Sequence, residues 1–291
     1  MRPHAGNASG FSRGRPGKGA AAPSFDPYRS HRLLYGTLRT LIAIPIYNER
    51  KYVEHVMRRV IAQGHDVVVV DDHSTDGTSE FLVGVPDVDV IRHGRNRGYG
   101  RGITDAFAHA YRNKYDWVVT LDADEQHEPE IIPQFIAEAQ RTGSAIISGS
   151  RYTEVNVHDD VAPGQRRLIN MRLTAAINDL FGWQLTDTFC GFKIHRVSAM
   201  ASLNLDEDGY AFPMQLWPRA YAAGLKVTEL PVKRIYNDAT RTFGGDLDDS
   251  NRRLKHYLSV LRAELVRMHY PNVAALDAVT LDPDPDCCGC T

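Results

Sequence analysis

From Thr40 onward the chain alternates short, β-branched apolar runs with longer stretches in which apolar residues recur every three or four positions. The short runs, at 40 to 46, 66 to 71, 88 to 92, 117 to 122 and 145 to 150, predict strands. Between them Val53, Val56, Met57 and Val60 recur at helical spacing, and so do Ile103, Phe107, Ala110 and Tyr111 in a helix expected over 101 to 113. Each such helix can cover one face of a sheet. The alternation therefore predicts an α/β fold with a mostly parallel central sheet flanked by helices. After Arg151 the pattern becomes irregular. A polar loop from Thr153 to Gly164 leads to a helix over 165 to 182, a strand near 188 to 194, a helix near 212 to 223, a strand at 226 to 235 and a closing amphipathic helix over 249 to 269.

The ends of the chain read differently. Residues 1 to 35 carry Arg2, Arg13, Arg15, Lys18, Arg29 and Arg32 against the single acid Asp26, among Gly, Ala, Ser and Pro. That composition predicts a disordered basic tail, able to lean on an anionic lipid surface at about 1 kcal/mol per cation or merely to solubilise. The main body is expected over 36 to 270, and 271 to 291 as a C-terminal tail. The tail carries Cys287, Cys288 and Cys290, which form no disulfide framework and lack the aliphatic middle of a prenylation box, so they receive no role.

At 291 residues and 43% hydrophobic content the chain is expected to be globular. Its longest apolar stretches, such as Leu41 to Ile46, are strand-sized and far short of the roughly 18 residues of a spanning helix. Met1 to Gly6 lead into no apolar segment, which predicts a cytoplasmic address. A net charge of -2 says nothing about partners, and no nucleic acid is expected among them.

The chemistry sits at the strand ends. The fourth run closes in Asp122-Ala123-Asp124-Glu125-Gln126-His127, two carboxylates at i and i+2 where the chain leaves the sheet. Such a pair suits Mg2+ or Mn2+, which take oxygen ligands and complete their shell with substrate phosphates, so a phosphorylated substrate is expected. Alone, an Asp-x-Asp is as well a solvated turn. Here the first run also ends in Pro45-Ile46-Tyr47-Asn48-Glu49, and the second in Asp71-Asp72-His73-Ser74-Thr75-Asp76-Gly77-Thr78. Ligands of open α/β sheets bind beyond the carboxyl ends of the strands, and this composition suits a nucleotide. Asp72 and Asp76 have a second reading, as caps of a helix that begins near Asp76. Gly98, Gly100 and Gly102 are spaced Gly-x-Gly-x-Gly, which fails the dinucleotide fingerprint; they either let backbone approach a ligand or loosen the following helix.

These segments, together with Asn96-x-Gly98, Pro129-Glu130 and Gly149-Ser150-Arg151-Tyr152 in the same order, resemble family 2 glycosyltransferases of the GT-A fold, in the dolichol-phosphate mannosyltransferase-like branch. The resemblance runs from about Leu41 to Gly245. It implies a nucleotide-sugar and metal half over 36 to 150 and an acceptor half over 151 to 270. Pro45, Tyr47, Glu49 and Asp72 would then surround the base and ribose, with Asp76 and Gly98 nearby, while Asp122, Asp124 and Gln126 face the metal and diphosphate. Arg151 and Arg241 would reach an acceptor phosphate. The implied activity is metal-dependent inverting transfer of a hexose from a GDP- or UDP-sugar to a polyprenyl phosphate. Transfer to a hydroxyl is the alternative, with Asp187 as base or as a buried anchor, and a non-catalytic nucleotide-sugar-binding protein is a third reading. Departures fall on the acceptor side. Met171, with Arg172 adjacent, stands where a helical arginine is common, the segment around Gly245-Asp246 lacks a Ser-Lys pair, and Gln215 replaces an acid.

Overall fold

In the computed structural model, which describes residues 38 to 153, 159 to 237 and 244 to 281, seven strands share one sheet. They are β1 (Thr40–Ile46), β2 (Asp66–Asp71), β3 (Val88–Arg92), β4 (Trp117–Thr120), β5 (Ile146–Ser150), β6 (Lys193–Arg196) and β7 (Val227–Pro231). Their order is β3-β2-β1-β4-β6-β5-β7. All neighbours are parallel except at β6, which runs antiparallel between β4 and β5.

Period-two alternation divides the strand side chains between two cores. Ile42, Ile44, Val67, Val69 and Val119 face α1 (Val53–Ile61), α2 (Thr78–Val83) and α4 (Ile132–Thr142). Leu41, Ala43, Val68, Val70 and Val118 face α3 (Tyr99–Arg112), α5 (Gly164–Phe181), α6 (Val197–Ser202), α7 (Phe212–Ala222) and α8 (Ser250–Arg267). β1 and β2 are buried on both faces, which is why they read as unbroken apolar runs rather than as alternation.

The expected elements of the first half are present, with the fourth strand ending at Thr120 rather than at 122 and the second helix beginning at Thr78 rather than near Asp76. Three expectations are corrected. The strand near 188 to 194 is β6 at Lys193–Arg196, because Thr186 to Phe189 spend their polar groups on side-chain hydrogen bonds instead of a ladder. The strand at 226 to 235 stops at Pro231. Residues 271 to 281, expected as tail, are not one: Val273–Ala278 forms a 3-10 helix with Leu276 buried, and Val273, Val279 and Leu281 pack on the core. β6, from the second half of the sequence, is inserted between β4 and β5. The expected basic tail, Arg241 and the three C-terminal cysteines lie outside the described residues.

Candidate active site

A cleft of about 550 Å³ opens at the carboxyl ends of β1, β2 and β4. β1 is paired on one side with β2 and on the other with β4, so the cleft lies where the strand order reverses. Pro45, Tyr47, Glu49, Asp72 and Gly98 line it from the β1 and β2 side; Asp122, Asp124 and Gln126 follow β4; Arg151 follows β5. Of the residues expected at the site and described, all of these converge, and Asp76 and Asp187 do not line the cleft.

The β1 and β2 ends are tied together. Asn48, at a left-handed φ of 56°, donates its N–H to Ser74 Oγ at 2.9 Å and accepts from the Thr75 N–H at 2.8 Å. Asp76 is used up in the same turn. One of its oxygens accepts from the Thr78 N–H and hydroxyl at 3.0 and 2.6 Å, and the other from the Arg50 N–H at 2.9 Å. Asp76 thus braces the turn ahead of α2, whose N-cap is Gly77. Asp72 lines the cleft, yet Oδ1 accepts from the Arg97 N–H at 2.7 Å and Oδ2 from the Gly98 N–H at 2.8 Å. The ring nitrogens of His93 lie 2.6 Å from Asp72 and 2.9 Å from Asp105. Asp72 thus fixes the 97–98 backbone at the cleft wall.

The glycines after it serve the fold. A Cβ on Gly98 or Gly100 would lie 2.3 or 2.2 Å from the carbonyl oxygens of Asp208 and Glu207, respectively. The 203–210 loop therefore lies against the start of α3, where the Asp208 carbonyl accepts from the Arg101 N–H at 3.1 Å. Gln215 holds that loop. Its side-chain oxygen accepts from the Asp206 and Glu207 N–H groups, and its amide donates to Asp206 and Glu264 at 2.8 and 2.9 Å. A neutral amide can do both jobs at once where a carboxylate could only accept.

Asp122 is positioned by contacts the sequence did not disclose. Its N–H donates to His127 Nδ1 at 3.1 Å, and burial holds that imidazole neutral, with its pKa lowered to about 4. Oδ1 accepts from the Tyr99 hydroxyl at 3.1 Å; burial, then the neighbouring Asp122 charge, pushes Tyr99 well above its ordinary value, so the phenol stays a donor. Tyr99 in turn stacks on Tyr210 of the 203–210 loop, ring centroids 5.8 Å apart. Asp124 is 8% exposed, and its Oδ1 accepts from the Gln126 N–H at 3.1 Å.

Two carboxylates and an amide oxygen fit a hard cation that takes the rest of its shell from substrate. Among the described residues there is no cluster of three or more His, Cys, Asp and Glu that would hold a metal unaided. Gly191 faces this pair: a Cβ there would meet Asp122 Oδ2 at 2.3 Å. Gly191→Ala is expected to displace the carboxylate and to cost about 1–3 kcal/mol of stability as overpacking does, measured by urea unfolding; a variant as stable as the parent would contradict that placement.

Beyond β4 the cleft turns cationic. Arg151 forms a fork with Asp187, Nε to Oδ2 at 2.7 Å and Nη2 to Oδ1 at 3.0 Å. Asp187 is fully buried and also accepts from Asn170 Nδ2 at 2.8 Å and the Phe189 N–H at 3.1 Å. Of the two roles foreseen for it, base or anchor, the structure supplies the anchor: the carboxylate is enclosed and its lone pairs are engaged. The Arg151 guanidinium stays firmly protonated, since the attraction of Asp187 overrides burial.

Arg166, Lys193 and Arg253 line the same cleft, as do Asn170, Tyr236 and Tyr257, and none was singled out from sequence. The helical arginine sought at 171–172 is supplied one and a half turns earlier, by Arg166; Met171 is half exposed and Arg172 faces away from this cleft. The signal was available, because Arg166 and Asn170 are i and i+4 and share one helix face.

Residues 41–203 match the model of the family described as glycosyl transferase family 2. Undecaprenyl-phosphate mannosyltransferase of Micrococcus luteus is 28% identical over 204 residues, covering 67% of this chain and 83% of that protein. Polyprenol monophosphomannose synthase of Mycolicibacterium smegmatis is 31% identical over 207 residues, covering 67% and 77%. Among solved structures, glucosyl-3-phosphoglycerate synthase from Mycobacterium tuberculosis in complex with Mn2+, UDP-glucose and phosphoglyceric acid aligns with TM-score 0.59 at 17% identity, covering 87% of each chain. At that identity the likeness concerns the fold, which is GT-A.

Proposed function

This chain belongs to glycosyl transferase family 2, and from that premise we propose that it moves a hexose from a nucleoside diphosphate sugar to a polyprenyl phosphate, inverting the anomeric centre. The observation that carries the reading is the division of one cleft into a carboxylate side, with Asp122 and Asp124, and a cationic side, with Arg151, Arg166, Lys193 and Arg253. The first suits a metal-bound diphosphate; the second suits an anionic acceptor.

The donor's base and ribose would lie along Pro45, Tyr47 and Glu49, with Asp72 holding the 97–98 backbone behind them. Asp122, Asp124 and Gln126 would hold Mg2+ or Mn2+. As a Lewis acid on the diphosphate, such an ion contributes several kcal/mol to departure of the leaving group. A phosphomonoester with a second pKa of about 6 is mostly dianionic at pH 7 and attacks without a base, which agrees with Asp187 being locked to Arg151. An alcohol would need a proton acceptor. Arg151 is oriented by its fork with Asp187 to meet the acceptor's charge, and Arg241 would join it from a segment outside the described residues.

Among the described residues no helix is long and apolar enough to cross a membrane. We assign peripheral contact with an anionic bilayer to the cations between Arg2 and Arg32. Incubation with radiolabelled donor, Mn2+ and polyprenyl phosphate is expected to move label into the organic phase; label that stays aqueous would exclude the lipid acceptor. The donor is identified by a thermal-shift panel of nucleotide sugars with Mn2+, in which a ligand at about 100 times its Kd stabilises by about 2.7 kcal/mol.

A further inference from the structure

Strand β6 delivers two polar side chains to the cleft whose hydrogen-bonding capacity is not filled there. Lys193 and His195 are i and i+2 and so project from one face of the strand, and both line the cleft. Lys193 is 5% exposed and makes no hydrogen bond or ion pair with any described residue; its ammonium lies 5.6 Å from the ring centroid of Trp217. The carboxylates of the neighbourhood are committed elsewhere, Asp187 to Arg151 and Asn170, and Asp122 to Tyr99. His195 is buried, and its Nδ1 has no partner. Thr120 Oγ1 gives its proton to the Gly191 carbonyl at 2.9 Å, so His195 Nε2, 3.4 Å from the same oxygen, is the donor there and Nδ1 carries the bare lone pair.

A buried cation without a counter-ion destabilises the chain that holds it. Nothing in the packing requires a charge at this position, since Trp217 and the apolar residues of the chamber would accept an aliphatic side chain equally well. Burial outweighs the attraction of Cys190, Asp187 and Asp122 and lowers the Lys193 pKa, so an anion that enters the cleft stabilises the charged form. Arg166 and Arg253 line the same cleft, so the entering group meets further positive charge there.

We propose that Lys193 is the anion-binding residue of the cleft floor and takes a phosphomonoester dianion, with His195 Nδ1 accepting a hydrogen bond from the water or hydroxyl beside it. That the dianion belongs to the acceptor rests on the transferase reading above; that Lys193 binds it does not.

The test uses the full chain with Lys193→Met, Lys193→Arg and, should the methionine variant not fold, Lys193→Gln. Thermal unfolding is recorded alone, with inorganic phosphate, and with UDP or GDP plus Mn2+. Lys193→Met is expected to melt higher than the parent in the absence of ligand, to lose the stabilisation by phosphate, and to keep the stabilisation by nucleotide and Mn2+. With polyprenyl phosphate as acceptor its KM rises tenfold or more while the donor KM is unchanged, and Lys193→Arg restores most of the affinity. A lower melting temperature with phosphate stabilisation intact would make Lys193 a structural residue and overturn the proposal, as would a parent protein that phosphate does not stabilise. If phosphate binding depends on Lys193 but no label passes to polyprenyl phosphate, the subsite stands and the lipid acceptor falls. A water-soluble sugar phosphate then replaces the lipid as the source of the dianion.

Discussion

Asp124→Ala is expected to lower transfer by about a thousandfold while the protein stays folded. The side chain lines the cleft, and in the proposed reaction it would offer an oxygen to a cation beside the leaving diphosphate. Loss of a Lewis acid worth several kcal/mol corresponds to a factor of about 10³ in rate. Folding is expected to survive the loss of the acceptor for the Gln126 N–H, at 3.1 Å, since a hydrogen bond to a charged group contributes about 1.5–3 kcal/mol. Steady-state transfer with a Mn2+ titration checks it, together with circular dichroism. A variant that retains full activity and full Mn2+ dependence would remove Asp124 from the reaction and with it the assignment of the carboxylate side.

Asp187→Ala is expected to cost about 3–5 kcal/mol of folding stability, the usual result of leaving one member of a buried ion pair alone. Arg151 would remain in place without the fork that orients it, and Asn170 and the Phe189 N–H would each lose an acceptor. Urea unfolding followed by tryptophan fluorescence measures this. The double variant Arg151→Met, Asp187→Leu should recover much of the stability and none of the activity, which separates the structural duty of the pair from its duty to substrate.

The same pair sets an acid limit. Burial alone would raise Asp187, but the Arg151 guanidinium outweighs it, and the carboxyl sits below its ordinary value of 3.8. A depressed carboxyl contributes its stability in full above 3.8 and loses it as the pH falls through the folded-state value. Unfolding scans taken downward from pH 5 should show the parent losing stability below 3.8 and the double variant losing less.

The first five strands and their helices were legible because β1 and β2 are buried on both faces and the helices on one, so each carries its own periodicity. Val67 to Val70 and the Val53, Val56, Met57, Val60 series are examples. The candidate site was legible where consecutive residues converge, as in Asp122 to Gln126. It was hidden where convergence depends on topology. Lys193 sits in a four-residue antiparallel strand, Arg166 in the first turn of a helix of weak amphipathic character, and Arg253 in the last long helix; no local spacing joins them. Tyr99 reads as an ordinary residue of a glycine-rich turn until the fold brings its hydroxyl to Asp122. The glycines themselves were ambiguous because a close backbone approach looks the same in sequence whether a ligand or another loop makes it.

The inserted strand also governs the order in which the molecule can be built. As the polypeptide emerges from the ribosome, β1 to β4 can pair at once, but β5 has no neighbour to join until Lys193–Arg196 has been made, for β6 is the only link between β4 and β5. Nascent chains that end between Ser150 and Lys193 therefore carry β5, with Ile146 and Ile147, as a strand with bare edges, the kind of segment that aggregates. Genetic fusions or split-protein designs that cut in that interval should fare worse than cuts made after Arg196.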